Sequence, residues 1–429
     1  MQYVFQELLS PSSLGNGTEA VPSVVTLTMM VSISFFRLVS LLVSASPLVL
    51  SAPSGHSKAE VAFNTLQTWY NTTSGLWDTT GWWNSANCLT AIGDLAAIDT
   101  SVSSTVQGVF SNTFTQAQKY NLQMLKVVTA DYNVVSYYGS SFPSAMAVPE
   151  AYNPKGFLNG YYDDEGWWAL GWIQAYDVTK NTQYLQAAMD IFTDMKNGST
   201  TPCGGGIWWD KKHTYVNAIA NELYLSVGAH LANRVSSNKN YYLDLATQQW
   251  TWFQKSGMIN SKNLINDGLT SQCKNNGETV WSYNQGVILG ALTELSTATG
   301  NKTYLNTATS IANAAITALS DNNKVLHDPC EPNCGGDGSQ FKGVFMRNLQ
   351  VLQKVAPSQT YVDFAAANAA SIWAYDREKS DSKLSVVWNG PFVSPANAST
   401  QSSALDALVA DQAFGDSNAG VIASRELVL

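Results

Sequence analysis

Two adjacent carboxylates, Asp163 and Asp164, stand in the run Tyr161-Tyr162-Asp163-Asp164-Glu165-Gly166-Trp167-Trp168, with a pair of aromatic rings on either side. Two acids within reach of one bond are what glycosidic cleavage uses: one protonates the departing oxygen, and the other attacks the anomeric carbon or activates water. Consecutive Cα atoms lie about 3.8 Å apart, so side chains diverging by one helical step hold their carboxyls at roughly the 5 to 5.5 Å of a retaining mechanism. Like charges that close pull their titrations apart, leaving one group ionised and the other protonated. A single Asp at a helix start is ordinarily a cap for orphan amides. Two in succession, flanked by four rings, exceed what capping needs, and Glu165 fits the first-turn helix role.

The composition agrees with a sugar partner. Only 13% of the residues are charged, the formal net charge is -9, and the chain carries 14 Trp and 19 Tyr. It offers no basic field for nucleic acid or an anionic membrane. Neutral, hydroxyl-rich molecules that stack on rings suit it better. With only four His, no His-based metal site or triad is compelling, and no cofactor is expected. His327 with Cys330 and Cys334 forms at most an incomplete zinc set, because a fourth ligand is missing.

Residues Leu38 to Leu50 are an apolar run too short to span a bilayer, preceded by Arg37 and followed by Ser51 and Ala52. This reads as a signal peptide cleaved near Ala52, with Met29 or Met30 as the start, since residues 1 to 28 are polar. Acceptor sequons at Asn71, Asn197, Asn301 and Asn397 fall in expected loops or helix ends. From Asn397 to Leu429 the apolar close of a lipid-anchor signal is missing. The expectation is a secreted, glycosylated, unanchored monomer, extracellular or associated with a cell wall. Cys330 with Cys334, and Cys203 with Cys273, are the expected disulfides, and Cys88 is left as a buried small hydrophobe.

The chain repeats itself. Tyr184, Tyr242, Tyr304 and Tyr361 are each followed by Leu or Val and, four residues on, by Ala, at intervals of 58, 62 and 57 residues. Tyr and Ala then share one helical face, and a period of that size holds two helices with their loops. This set of helices starts near Ser57, Phe114, Tyr184, Tyr242, Tyr304 and Tyr361. A second set, apolar over more of its circumference, starts near Trp82, Asp164, Asn217, Tyr283, Phe341 and Ser403. Helices with one apolar stripe belong outside, and those apolar nearly all round belong inside. The pattern predicts an all-α (α/α)6 toroid of six inner and six outer helices over residues 53–411, after a 1–52 leader and before a 412–429 tail. Connections from outer to inner helices are the long ones, 71–81, 132–163, 197–216, 257–282, 320–340 and 375–401. Long loops gathered at one end of a ring mark its working face. The acid pair stands there.

The segment Tyr161 to Leu170 resembles the catalytic run of glycoside hydrolase family 76, the endo-α-1,6-mannanases, whose fold is an (α/α)6 barrel. Gly81-Trp82-Trp83-Asn84-Ser85-Ala86-Asn87, Cys203 to Trp209, Asn217 to Leu223, Trp281 to Gly286 and Phe341 to Phe345 are similar too, so the likeness spans roughly residues 60 to 375. The resemblance implies that Asp163 is the nucleophile and Asp164 the general acid/base, acting with retention on α-1,6-linked mannan or manno-oligosaccharides. Trp83, Trp168, Trp208 and Tyr283 are candidate sugar platforms from four inner-helix entrances, and Asn217 with Asn221 is a candidate hydroxyl-binding pair. Asn87, Trp209, Asn284 and Gln285 stand in the same segments and join the candidate substrate-binding set, and Lys342 is a candidate for tuning the acids. The family also includes wall-bound transglycosylases, which makes mannan transfer the alternative reaction. A noncatalytic glycan binder would lack one Asp of the pair, and a uronic-acid lyase would need basic residues to hold the carboxylate, whereas these loops are poor in Arg.

Overall fold

The computed structural model describes the backbone of residues 57–120, 124–128, 134–138 and 156–426, so the leader and signal-peptide expectation lies outside the described residues. In chain order the helices are α1 (Lys58–Gln67), α2 (Trp82–Ala96), α3 (Ser103–Gln116), α4 (Tyr162–Thr179), α5 (Thr182–Met195), α6 (Ala218–Arg234), α7 (Lys239–Ser256), α8 (Ser282–Thr299), α9 (Thr303–Ala318), the single turn α10 (Gly335–Gly338), α11 (Phe341–Val355), α12 (Gln359–Ser371) and α13 (Ala398–Glu426).

Burial sorts them into two layers. Every residue of α2 except Asp94 is buried, whereas α5 buries one stripe, Tyr184, Leu185, Ala188, Ile191, Phe192 and Met195. The stripe recurs at helical spacing, as an outer helix requires. Helices α2, α4, α6, α8, α11 and α13 pack side by side in that order, and α13 returns to α2, which closes the inner ring. Around it, α3 packs against α2 and α4, α5 against α4 and α6, α7 against α6 and α8, and α9 against α8 and α11; α12 and α1 both pack on α13. The protein is thus an (α/α)6 toroid. Ring neighbours come close where side chains vanish. A Cβ on Gly286 would lie 2.6 Å from the Phe345 Cα, and one on Gly343 would lie 2.6 Å from the Ser403 Cα.

Connections at one end of the ring are short, such as residues 180–181, 235–238 and 300–302, while the other end carries the long ones. A repeated device ties the long loops down. The fourth helical residue of five inner helices accepts a buried backbone N–H from the loop ahead of it: Ser85 from Trp77 (3.2 Å), Glu165 from Asn159 (2.8 Å), Asn221 from Ile207 (2.7 Å), Gln285 from Ile265 (2.8 Å) and Gln401 from Leu384 (2.8 Å). At α11 the partner comes from the outer layer, where Asn368 accepts Leu326 N–H at 2.9 Å. Buried peptide groups off the helices must find such partners.

Three expectations need correction. The second outer helix begins at Ser103 rather than Phe114, because Val106, Val109, Phe110 and Thr113 form the buried stripe of a Ser/Thr-rich segment; Phe114 lies in its last turn. The stretch after it contains an antiparallel hairpin, Met124–Val128 with Val134–Tyr138, rich in the β-branched and aromatic residues that favour strands. The last inner helix begins at Ala398, five residues ahead of Ser403, and runs past 411 to Glu426 without a break. Among the described residues no helix is long and apolar enough to cross a membrane.

Candidate active site

The residues just ahead of the acid pair are held as a strand edge. Tyr161 forms an antiparallel bridge with Asp210, Tyr162 N–H donates to the Trp209 carbonyl at 2.9 Å, and Lys211 N–H donates to Gly160 at 2.9 Å. Helix α4 therefore starts at a fixed point, and Asp163, Asp164 and Glu165 fill its first turn at the long-loop end. The Asn159 side-chain amide donates to Asp164 Oδ2 at 2.7 Å, while its own oxygen accepts Tyr161 N–H at 2.8 Å. Glu165 pairs with Lys211 Nζ (2.7 Å), which also reaches Asp194 at 2.6 Å. Burial works against the Lys211 charge, but Glu165 and Asp194 outweigh it and raise its pKa. Glu165 is thus a brace for the loop, in keeping with its expected first-turn role.

Two more acids share the site. Asp267 is buried and accepts the Tyr215 hydroxyl at 2.6 Å. Burial pushes its carboxyl up to about 7, the Tyr215 bond opposes this, and the charges of Glu278 and Asp163 add to it. Asp210 is likewise raised by burial, with the Thr214 bonds opposing and Asp163 adding. The Tyr283 phenol is raised well above its usual value, by burial first and then by Asp267 and Asp163. Asp210, Asp267 and Tyr283 each feel the charge of Asp163, so these side chains surround one point of the site.

One turn along α4 from Asp163, Trp167 joins a line of rings drawn from four inner helices. Trp83 stacks on Trp167 (5.7 Å between centroids), Trp167 on Tyr283 (6.4 Å), and Tyr283 on Phe341 (3.8 Å). The Trp83 indole N–H donates to Asp337 at 3.0 Å, which fixes that ring at the rim. Arg347 lies 5.8 Å from the Trp167 ring and donates to Asp406 (3.1 Å) and to Asn87.

The candidate residues meet different fates. Trp83 and Tyr283 belong to the ring line. Trp168 does not: it is fully buried against Trp82, Phe157 and Trp172 between the layers, and Trp167 takes the inward position. Adjacent helical residues diverge by about 100°, so only one ring of such a pair can face the axis. Trp208 is half-buried at the rim, stacked on His213 at 5.2 Å, with its N–H on Thr200. Trp209 is buried against Tyr161 and Tyr215, and its backbone positions α4. Asn217 caps α6 through Ala220 N–H. Asn221 and Gln285 are the loop clamps described above, and Asn87 is committed to Arg347. Asn284 is buried in the first turn of α8, with both side-chain polar atoms unbonded within the protein. Lys342 pairs with Glu331 at 2.7 Å and lies 4.3 Å from the Trp388 ring centre, so its partners are in the loop wall and not among the acids.

Both expected disulfides are formed, Cys203–Cys273 and Cys330–Cys334, and Cys88 is free and buried. The disulfide removes the thiolates of the zinc alternative, and His327 pairs with Glu331 at 3.0 Å. Asp267, Asp210, Asn159, Tyr215 and Arg347 went unflagged in the sequence. Asp210 directly follows the singled-out Trp208-Trp209, and Asp267 lies in the long 257–282 loop, so a search for acids within the six long loops would have found both.

The sequence profile of glycosyl hydrolase family 76 matches residues 55–420. The chain belongs to this family. A Schizosaccharomyces pombe relative is 30% identical over 213 residues, 46% of this chain and 48% of its own. The Saccharomyces cerevisiae protein DFG5, named mannan endo-1,6-alpha-mannosidase, is 26% identical over 214 residues, 47% of this chain and 44% of its own. This family 76 chain therefore spans about half the length of the curated relatives it matches. Among solved structures, the GH76A alpha-1,6-mannanase of Salegentibacter sp. HEL1_6 superimposes with a TM-score of 0.67 at 20% identity, covering 83% of this chain and 98% of that one. A variant of the same bacterial enzyme, with two consecutive aspartates replaced by asparagine, is described as inactive and holds alpha-1,6-mannotriose; its TM-score is 0.66 at 20% identity, over 83% of this chain and 98% of that one.

Proposed function

We propose that this family 76 chain is a secreted mannan endo-1,6-α-mannosidase that works with retention through Asp163 and Asp164. The carrying observation is two consecutive aspartates in the first turn of inner helix α4, at the long-loop end, one turn from the stacked ring Trp167 and within electrostatic reach of the buried acids Asp210 and Asp267. Relatives that bear the mannosidase name, and the inactivity of a bacterial neighbour lacking two consecutive aspartates, support the same reading. The two disulfides fit an oxidising, exported setting.

Asp163 attacks the anomeric carbon, its oxygen forms the glycosyl ester, and the bond to the leaving sugar oxygen breaks. Asp164 gives that oxygen its proton, then takes one from the water that opens the ester. Asn159 holds Asp164 in one rotamer for both transfers. Trp83, Trp167 and Tyr283 supply the stacking surface, and Asn284 offers an amide to sugar hydroxyls.

The test is incubation with linear α-1,6-mannan, following product size and the anomer first released. Short α-1,6-manno-oligosaccharides with initial α configuration are expected. Products longer than the starting chains would identify transfer, and an initial β anomer or untouched mannan would overturn the proposal.

A further inference from the structure

A groove of about 560 Å³ runs along the outer wall between α7 and α9, away from the acid pair. It extends from Asp244 to Lys255 on α7, about 17 Å at the helical rise, and its upper end is Gly204 in the loop that leads into Trp208. Its volume lies within the usual range for ligand sites.

The internal repeat supplies a control. Tyr184, Tyr242, Tyr304 and Tyr361 hold equivalent places on four outer helices. Tyr184 is packed by Phe114 and Trp172, Tyr242 by Phe192, and Tyr361 is fully buried. Tyr304 alone of the four is half-buried, and it lines the groove. The second ring of the groove is Trp252, whose indole N–H donates to the Cys203 carbonyl at 3.0 Å. That loop is fastened by the Cys203–Cys273 bond, and Gly205 and Gly206 lie so near the indole that a Cβ on either would clash with it. Trp252 is therefore a rigid wall. Between the rings the groove presents Thr247, Gln248 and Thr251, and its two charges, Asp244 and Lys255, are of opposite sign. One fixed ring and one half-buried ring, with neutral donors and acceptors between them, suit an uncharged polyol and disfavour an anion or a cation.

We infer that the α7–α9 groove is a second carbohydrate-binding site, taking a neutral oligosaccharide segment of the polymer whose bonds the cleft cuts. The inference rests on the substrate reading above for the identity of the sugar. Because its upper end shares a loop with the Trp208 rim, one long chain can engage groove and cleft together, and the second contact then becomes intramolecular.

The experiment is calorimetric titration of α-1,6-mannotetraose into the full chain carrying Asp163→Asn and Asp164→Asn, which leaves the ligand uncut. Two classes of site are expected. Adding Tyr304→Ala should weaken one class about tenfold, the size of a lost stacking partner, with the other class unmoved. Gln248→Ala, an exposed substitution, should weaken the same class and serves if the tyrosine variant fails to fold. A single class that neither substitution alters overturns the groove site and leaves the cleft reading standing. No binding at all overturns the groove site, and mannan cleavage by the unsubstituted protein shows separately whether the cleft reading survives.

Discussion

Replacing Asn221 with alanine removes four hydrogen bonds at once. Its side chain accepts from Ile207 N–H (2.7 Å) and Gln249 Nε2 (2.9 Å), and donates to the carbonyls of Ile207 (2.9 Å) and Asn217 (2.7 Å). The residue and the Ile207 peptide are fully buried, so no water replaces what is lost. At about 0.5 to 1.5 kcal/mol net for each bond, with the Ile207 peptide left unsatisfied, the expected loss is about 3 to 5 kcal/mol. Unfolding entropy of about 2.1 cal/mol/K per residue over roughly 370 residues converts this to a melting temperature about 4 to 6 °C lower. Activity should fall as well, because Ile207 leads into Trp208 and Trp209, and Trp209 fixes the start of α4. The assay is scanning calorimetry beside kcat and KM on manno-oligosaccharides. If Asn221 served the sugar instead, its loss would raise KM and leave the melting temperature within about 1 °C of the parent. That outcome would refute the clamp.

Asn284→Ala should behave in the opposite way, raising KM while costing less than about 1 kcal/mol, since no hydrogen bond within the protein is lost; calorimetry and kinetics check both halves. Asp267 has its carboxyl raised by burial to about 7 from an ordinary 3.8, so the folded state holds a proton that the unfolded chain releases. The stability it contributes is complete below about pH 4 and is lost as pH rises towards 7; the stability difference between Asp267→Asn and the parent should therefore shift steadily in the variant's favour over that range, as urea titrations at several pH values would show. Removing the Cys203–Cys273 bond, which spans 70 residues, should cost about 4 kcal/mol in the chain-entropy picture, and removing Cys330–Cys334, which spans 4, about 2 kcal/mol, so paired Ser variants should melt in that order.

The toroid was legible because its period was written twice, in the Tyr-Leu-Ala stripes of the outer helices and in the all-round burial of the inner ones. The α3 boundary was hidden because Ser103 to Gln116 has too many Ser, Thr and Asn residues to announce a helix, and packing alone holds it. The acid pair announced itself by type and spacing. The choice between Trp167 and Trp168 was not written locally, since it depends on the rotation of α4 within the ring, fixed by Gly166 against Leu223 and by the Trp209 strand edge. Asn221 and Gln285 looked like sugar ligands because an amide at a helix entrance suits a hydroxyl as well as a peptide. Only the arrival of Ile207 and Ile265 from the loops decides between them.

The central claim is that Asp163 and Asp164 carry out the chemistry. Its most direct test is kcat/KM on linear α-1,6-mannan for Asp163→Asn and Asp164→Asn, each with its melting temperature measured alongside. Both variants should lose on the order of a thousandfold or more while melting close to the parent, and Asp164→Asn alone should recover the first step on an aryl mannoside whose leaving group needs no proton. Either variant keeping more than about a tenth of the parent's activity on mannan would contradict the account.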